Sequence, residues 1–138
     1  MRYYLDTNIL VFILTWDEEN ISPEVLAILN DYGSVLYVSS VAVKELILLY
    51  RIGKMKLKRF KSEADVLDDL KEAGIEIRHF NQHHFIQYTK LEITEGHKDM
   101  NDHAIISQAI SDKIPLISSD RTFKDYVSQE LNFVFNKR

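Results

Sequence analysis

Short apolar runs of strand length alternate with longer stretches of helical periodicity along all 138 residues, and nothing else in the sequence restricts the fold as strongly. Repeated strand–helix–strand units fold back into parallel pairs, so this alternation predicts a parallel sheet covered by helices. Strand signals fall at residues 2–5 (RYYL), 35–39 (VLYVS), 75–79 (IEIRH), 115–118 (PLIS) and 132–135 (NFVF). Helical patterns fall at 9–15, 22–32, 40–52, 62–73, 82–93, 101–112 and 121–129. Ser22-Pro23-Glu24 places a capping side chain before proline at a helix start, and Gly33 and Gly74 each close a helical pattern directly before a strand. The expectation is an α/β chain of three layers, α/β/α, with a mainly parallel central sheet of about five strands, folded as one domain over residues 1–138.

Composition narrows the chemistry. With no cysteine, the chain can form neither a disulfide nor a thiolate metal site. Its longest apolar run, Ile9 to Leu14, falls far short of the ~20 residues a spanning helix needs, and no basic segment with a cleavage site precedes it. A cytoplasmic location without membrane contact is therefore expected. A net charge of −4 works against nucleic-acid binding in general, so the local distribution of Lys and Arg has to decide that question.

Open parallel sheets bind ligands beyond the carboxyl ends of their strands. Asp6 follows the first strand and Asp120 the fourth. Either alone is ordinarily an Asx turn or a helix cap. Glu45, in SVAVKELILLY, lies four residues after Val41 and three and four before Leu48 and Leu49, which places a carboxylate on an apolar stripe. Asp102 stands one turn before the apolar face Ile105, Ile106, Ala109 and Ile110, with Asp99 as the candidate N-cap three residues earlier. Four acids converging above one sheet edge would repel one another unless a divalent cation neutralised them, and oxygen-only ligands suit Mg2+ or Mn2+.

Taken in order, YYLDTNIL, SSVAVKELILLYRIGKMKL, KDMNDHAIISQAISDKIPLISSDRTFKDY and the final FVF resemble a PIN domain, most of all the bacterial VapC-type toxins of toxin–antitoxin pairs. The resemblance implies a PIN-like fold and a metal-dependent endoribonuclease. Its motif acids fall on Asp6, Glu45, Asp102 and Asp120, which it makes catalytic residues and ligands of Mg2+ or Mn2+. Thr7, Asn8, Ser118 and Asp99 would supply hydrogen bonds that orient those carboxylates. In-line attack on the phosphodiester would leave a 5'-phosphate and a 3'-hydroxyl. One stretch departs from the pattern: where many such toxins read D-P-F-D-R, this chain has Asp99-Met100-Asn101-Asp102-His103, which leaves the branch of the family, and with it the substrate, open. A homodimer and an antitoxin partner are likewise implied by the resemblance alone.

RIGKMKLKRFK carries Arg51, Lys54, Lys56, Lys58, Arg59 and Lys61 without an acid, an exception in this acidic chain. Arg51, Lys54, Lys56 and Lys58 are the candidates for contacting an RNA backbone, against a solvated basic loop or a dock for an acidic partner. His97 and His103 lack the tight spacing and the cysteines of a transition-metal site. Tyr3, Tyr4, Phe12 and Trp16 are expected in core or interface, and the apolar ILVFILTW offers a side for burial against another chain. Two rival readings keep the fold: an RNA-processing nuclease without an antitoxin, and a non-catalytic nucleic-acid-binding module. A haloacid-type phosphatase needs D-x-D after the first strand, where this chain has Asp6-Thr7-Asn8, and a receiver domain needs a Lys near its last strand.

Overall fold

The computed structural model describes residues 1–56 and 62–138. Strands β1 (Arg2–Leu5), β2 (Val35–Ser39), β3 (Ile75–Arg78), β4 (Leu116–Ser118) and β5 (Phe133–Phe135) form a sheet in the order β3-β2-β1-β4-β5. Every neighbouring pair is parallel, so the sheet is wholly rather than mainly parallel. The register sets Tyr4 beside Tyr37 and Leu116, and Leu5 beside Ile117. Central parallel strands are covered on both faces, which is why Tyr4, Leu5, Tyr37, Val38, Leu116 and Ile117 are all buried.

The described helices are α1 (Thr7–Leu14), α2 (Pro23–Asn30), α3 (Ser40–Arg51), α4 (Asp65–Glu72), α5 (Gln82–Lys90) and α6 (Met100–Asp112), with 3-10 turns at Glu18–Asn20 and Arg121–Gln129. They complete the three-layer α/β/α architecture. Helix α1 starts two residues earlier than its apolar pattern suggests because the Asp6 carboxylate accepts from the Thr7 N–H and caps it. The pattern at 121–129 is 3-10 rather than α: its buried residues, Phe123 and Tyr126, are three apart, the repeat at which 3-10 side chains eclipse. Ser22 caps α2 through the Val25 N–H, with Pro23 in the first turn. Gly74, at φ +75°, closes α4 as expected, but α2 ends at Asn30, and the Gly33 N–H donates to Asp31 Oδ1 in a separate turn. Of the aromatics expected in core or interface, Tyr4 and Phe12 are buried in the core, Tyr3 is half-buried and Trp16 is 76% exposed. Ile9, Leu10, Phe12 and Leu14 of α1 are all covered by this chain's own core. Among the described residues no helix is long and apolar enough to cross a membrane.

Candidate active site

From β1 the chain moves outward to β2 and β3 on one side, then returns to place β4 and β5 on the other. The strand order therefore reverses between β1 and β4, where the carboxyl ends open a crevice. Asp6 occupies it. Its backbone N–H donates to the Ile117 carbonyl (2.9 Å), which continues the β1–β4 ladder past the end of β1, and the residue is only 3% exposed. Asp6 Oδ1 accepts from the Thr7 N–H (2.8 Å), and Oδ2 accepts from the Ser118 hydroxyl (2.6 Å) and the Asn8 amide (3.1 Å). Asn8 Oδ1 in turn accepts from the Ser119 N–H (3.2 Å), and Ser118 Oγ accepts from the Asp120 N–H (3.0 Å). Asp120 caps the 3-10 segment by accepting from both the N–H (2.9 Å) and the hydroxyl (2.7 Å) of Thr122.

The other two acids arrive on helices. Glu45 is half-buried beside the inward face of α3, where Ala42, Val43 and Leu46 are buried and Val41 and Leu49 pack partly buried against the core, whereas Leu48 is exposed. The Thr7 hydroxyl donates to Glu45 Oε1 (3.2 Å) and so ties α3 to the first turn of α1. Asp99 is the N-cap of α6, accepting from the Asn101 (2.9 Å) and Asp102 (3.3 Å) N–H groups. Ile105, Ile106, Ala109 and Ile110 are buried, which fixes the roll of α6 and leaves Asp102 half-buried at its start. The Asp102 side chain does not reach back to close a capping box; its Oδ2 lies 3.1 Å from His97 Nε2.

These carboxylates perturb one another. Burial pushes the Asp6 carboxyl up to about 6, helped by the negative Asp120 and Asp99 and opposed by the bonds from Ser118 and Thr7. Burial, then repulsion from Asp6, Asp99 and Asp102, raises Glu45 to about 7. Burial, then Asp6, Asp99 and Asp120, raises Asp102 to about 8. Acids contributed by four separate elements thus share one electrostatic neighbourhood, as functional sites do more often than structural ones. As placed, no three His, Asp or Glu side chains among the described residues surround a common point closely enough to hold a metal ion. Each acid is partnered locally instead: Asp6 by Ser118 and Asn8, Glu45 by Thr7, Asp102 by His97 and Asp120 by Thr122. By donor chemistry the set still fits a hard divalent cation, since its oxygens are all carboxylate and three of the groups hold their protons unusually well, a cost that a cation would relieve.

Of the basic candidates, Lys54 and Lys56 are exposed, and Arg51 forms a bidentate pair with Glu63 (2.8 and 2.7 Å); Lys58 lies outside the described residues, as do Arg59 and Lys61. The sequence offers His97 only as a weak transition-metal candidate, not as a partner of Asp102. A metal-ligand spacing search does not find that pairing, because Tyr126 and Asp102 reach His97 from two other elements. None of the four acids lines the cavity of about 410 Å³ that opens between α1, α2 and α4 and is walled by residues such as Phe12, Ile13, Trp16, Leu26 and Leu29.

A wholly parallel sheet with acids from four elements facing its switch point defines an α/β protein with a carboxylate centre. The chain belongs to the PIN domain family, whose model matches residues 3–128. No significant match was found among curated proteins. Among solved structures it is similar in fold to VapBC2 from Rickettsia felis bound to a DNA fragment from its promoter (TM-score 0.68, 21% identity, 99% of this chain and 100% of that chain covered). It is also similar to VapBC-1 from nontypeable Haemophilus influenzae (0.66, 19%, 98% and 98%). A member of the VapBC family of toxin–antitoxin systems, VapBC-5 from Mycobacterium tuberculosis, matches over the same extent (0.57, 20%, 99% and 98%).

Proposed function

We propose that this chain is a Mg2+- or Mn2+-dependent endoribonuclease of the VapC type, the toxin of a type II toxin–antitoxin pair. The observation that carries this reading is the shared rise of Asp6, Glu45 and Asp102 at the switch point of the sheet, beside Asp120. Independent capping residues have no reason to disturb one another in that way. Asp6, Glu45, Asp102 and Asp120 are the acids that would hold the cation and act in catalysis. A divalent ion bound there would stabilise charge on a phosphodiester and make water a better nucleophile. Ser118 and Asn8 orient Asp6, Thr7 orients Glu45, and Asp99 fixes the first turn of α6 beneath Asp102. Lys54, Lys56 and Lys58 would attract the RNA backbone that an acidic crevice repels.

The toxin reading draws on the VapBC fold neighbours, and an antitoxin and a second copy of the chain are the partners it implies. The single domain over residues 1–138 and the cytoplasmic location belong to the same proposal. Incubation of the protein with total cellular RNA and Mg2+ or Mn2+ should yield fragments with 5'-phosphate and 3'-hydroxyl ends. Chelator or Asp6→Asn should abolish them. Cleavage that persists in either control would overturn the assignment, and growth unaffected by expression of the chain would overturn the toxin role.

A further inference from the structure

We propose that His97 is a positioning residue for Asp102, donating from Nε2–H to one carboxylate oxygen so that the other is presented to the cation; this rests on the nuclease reading above. The ring is held on every side. Its Nε2 lies 3.1 Å from Asp102 Oδ2 and its Nδ1 2.6 Å from the Tyr126 hydroxyl. The Tyr126 oxygen already accepts from the Thr94 N–H and from the Thr94 hydroxyl (3.3 Å each), which fills both of its lone pairs and leaves it only its own proton to share with the ring. The hydrogen between His97 and Asp102 therefore belongs to Nε2, and the short contact on the other side is the Tyr126 O–H donating to Nδ1. Tyr126 thereby selects the tautomer that serves Asp102, as carboxylates and carbonyls do for metal-bound histidines.

The backbone of His97 is fixed as well. Its N–H donates to the Thr94 carbonyl (3.1 Å), and its own carbonyl lies 3.0 Å from His103 Nε2. The ring meets His103 edge-on at 4.6 Å and faces Phe123 at 6.2 Å, and its side chain is 9% exposed. Little rotamer freedom remains to be lost when Asp102 is engaged. Tyr126 and Phe123 both belong to the 3-10 segment that Asp120 caps, so His97 joins the element carrying Asp120 to the helix carrying Asp102. A donor tying those two elements sets the spacing of two of the proposed ligands.

The experiment uses the full chain, with Mn2+ as the probe. Nitrogen NMR of the imidazoles in the wild type should report the neutral Nε2–H tautomer for His97; an Nδ1–H or doubly protonated ring would overturn the assignment. His97→Leu should weaken Mn2+ binding, followed by electron paramagnetic resonance, about ten- to a hundredfold, and lower kcat for RNA without raising KM. His97→Gln, whose amide nitrogen can reach the Nε2 position, should recover most of that loss, which separates the hydrogen bond from simple packing. In an Asp102→Asn background, His97→Leu should weaken Mn2+ no further, because the two act as a unit. Unchanged Mn2+ affinity in His97→Leu, or an equal loss in both backgrounds, overturns the positioning role alone. A wild type that binds no Mn2+ overturns the nuclease reading and the positioning role with it.

Discussion

Replacing Asp6 with Asn should make the protein more stable at neutral pH in chelator, although it removes a proposed catalytic acid. The Asp6 carboxyl is raised from 3.8 to about 6, a shift of roughly 2 units, worth ~3 kcal/mol at ~1.36 kcal/mol per unit. Because the folded chain holds this proton more tightly than the unfolded one, the penalty is absent below the unfolded value, grows as pH rises through the interval, and is complete above about 6. Asn keeps the cap on the Thr7 N–H, since Asn and Asp cap helices equally well. Its amide nitrogen then faces both the Ser118 hydroxyl and the Asn8 amide, a donor against a donor at each, and forfeits about 2 kcal/mol. The net expectation is a gain of about 1 kcal/mol near pH 7.5 that turns into a loss of about 1–2 kcal/mol near pH 4, read from urea unfolding in chelator. Saturating Mg2+ should reverse the ranking at neutral pH by stabilising the wild type, by about 2.7 kcal/mol at a hundredfold excess over Kd. Equal destabilisation of the variant at both pH values would refute the reasoning, because the buried charge would then cost nothing.

Tyr4→Phe should destabilise the fold by about 2 kcal/mol in the same assay, because it strips a partner from both Asp112 Oδ2 and the fully buried Gln108 amide. Lys113→Gly should add about 0.5–1 kcal/mol, since Lys113 ends α6 in the left-handed region at φ 56°, and unchanged unfolding would show that the strain is relieved elsewhere. Joint replacement of Lys54, Lys56 and Lys58 with Gln should weaken RNA binding and flatten its salt dependence by up to about three counterions, measured by titration at several salt concentrations. Unchanged salt dependence would assign the segment to another partner.

The strand positions were legible because a central parallel strand is buried on both faces and reads as a short continuous apolar run. RYYL and VLYVS carry that signal without help from tertiary context, and the edge strand FVF shows it in apolarity without being buried. Helix geometry was less so. The segment 121–129 shows apolar residues at Phe123 and Tyr126, a spacing that α and 3-10 windings both accept, and only packing against the sheet decides between them. On α3 apolarity alone cannot rank adjacent positions: Val41 and Leu49 pack against the core beside the buried Ala42, Val43 and Leu46, while the equally apolar Leu48 faces outward. At Gly33 the glycine-before-strand signal was real but served an Asp31 turn in place of a helix cap.

At the candidate site, each acid was visible in the sequence for a different reason: Asp6 and Asp120 by position after a strand, Glu45 by intrusion into an apolar pattern, and Asp102 by its place one turn before a buried face. Their shared electrostatics were not visible, because they depend on β1 and β4 being neighbours although 110 residues separate Asn8 from Ser118. The same distance hides the hydroxyl of Ser118 from Asp6, and the separate courses of the 91–99 loop and the 3-10 segment hide Tyr126 from His97. Strand order therefore brings the chemistry together. Reversing it between β1 and β4 leaves a crevice that no crossover covers, and acids placed there are buried enough to interact yet open enough to meet a ligand. A fold stabilised chiefly by its apolar strands can carry that electrostatic cost at one edge, and a cation that relieves it would bind with the repulsion between the carboxylates as part of its driving force.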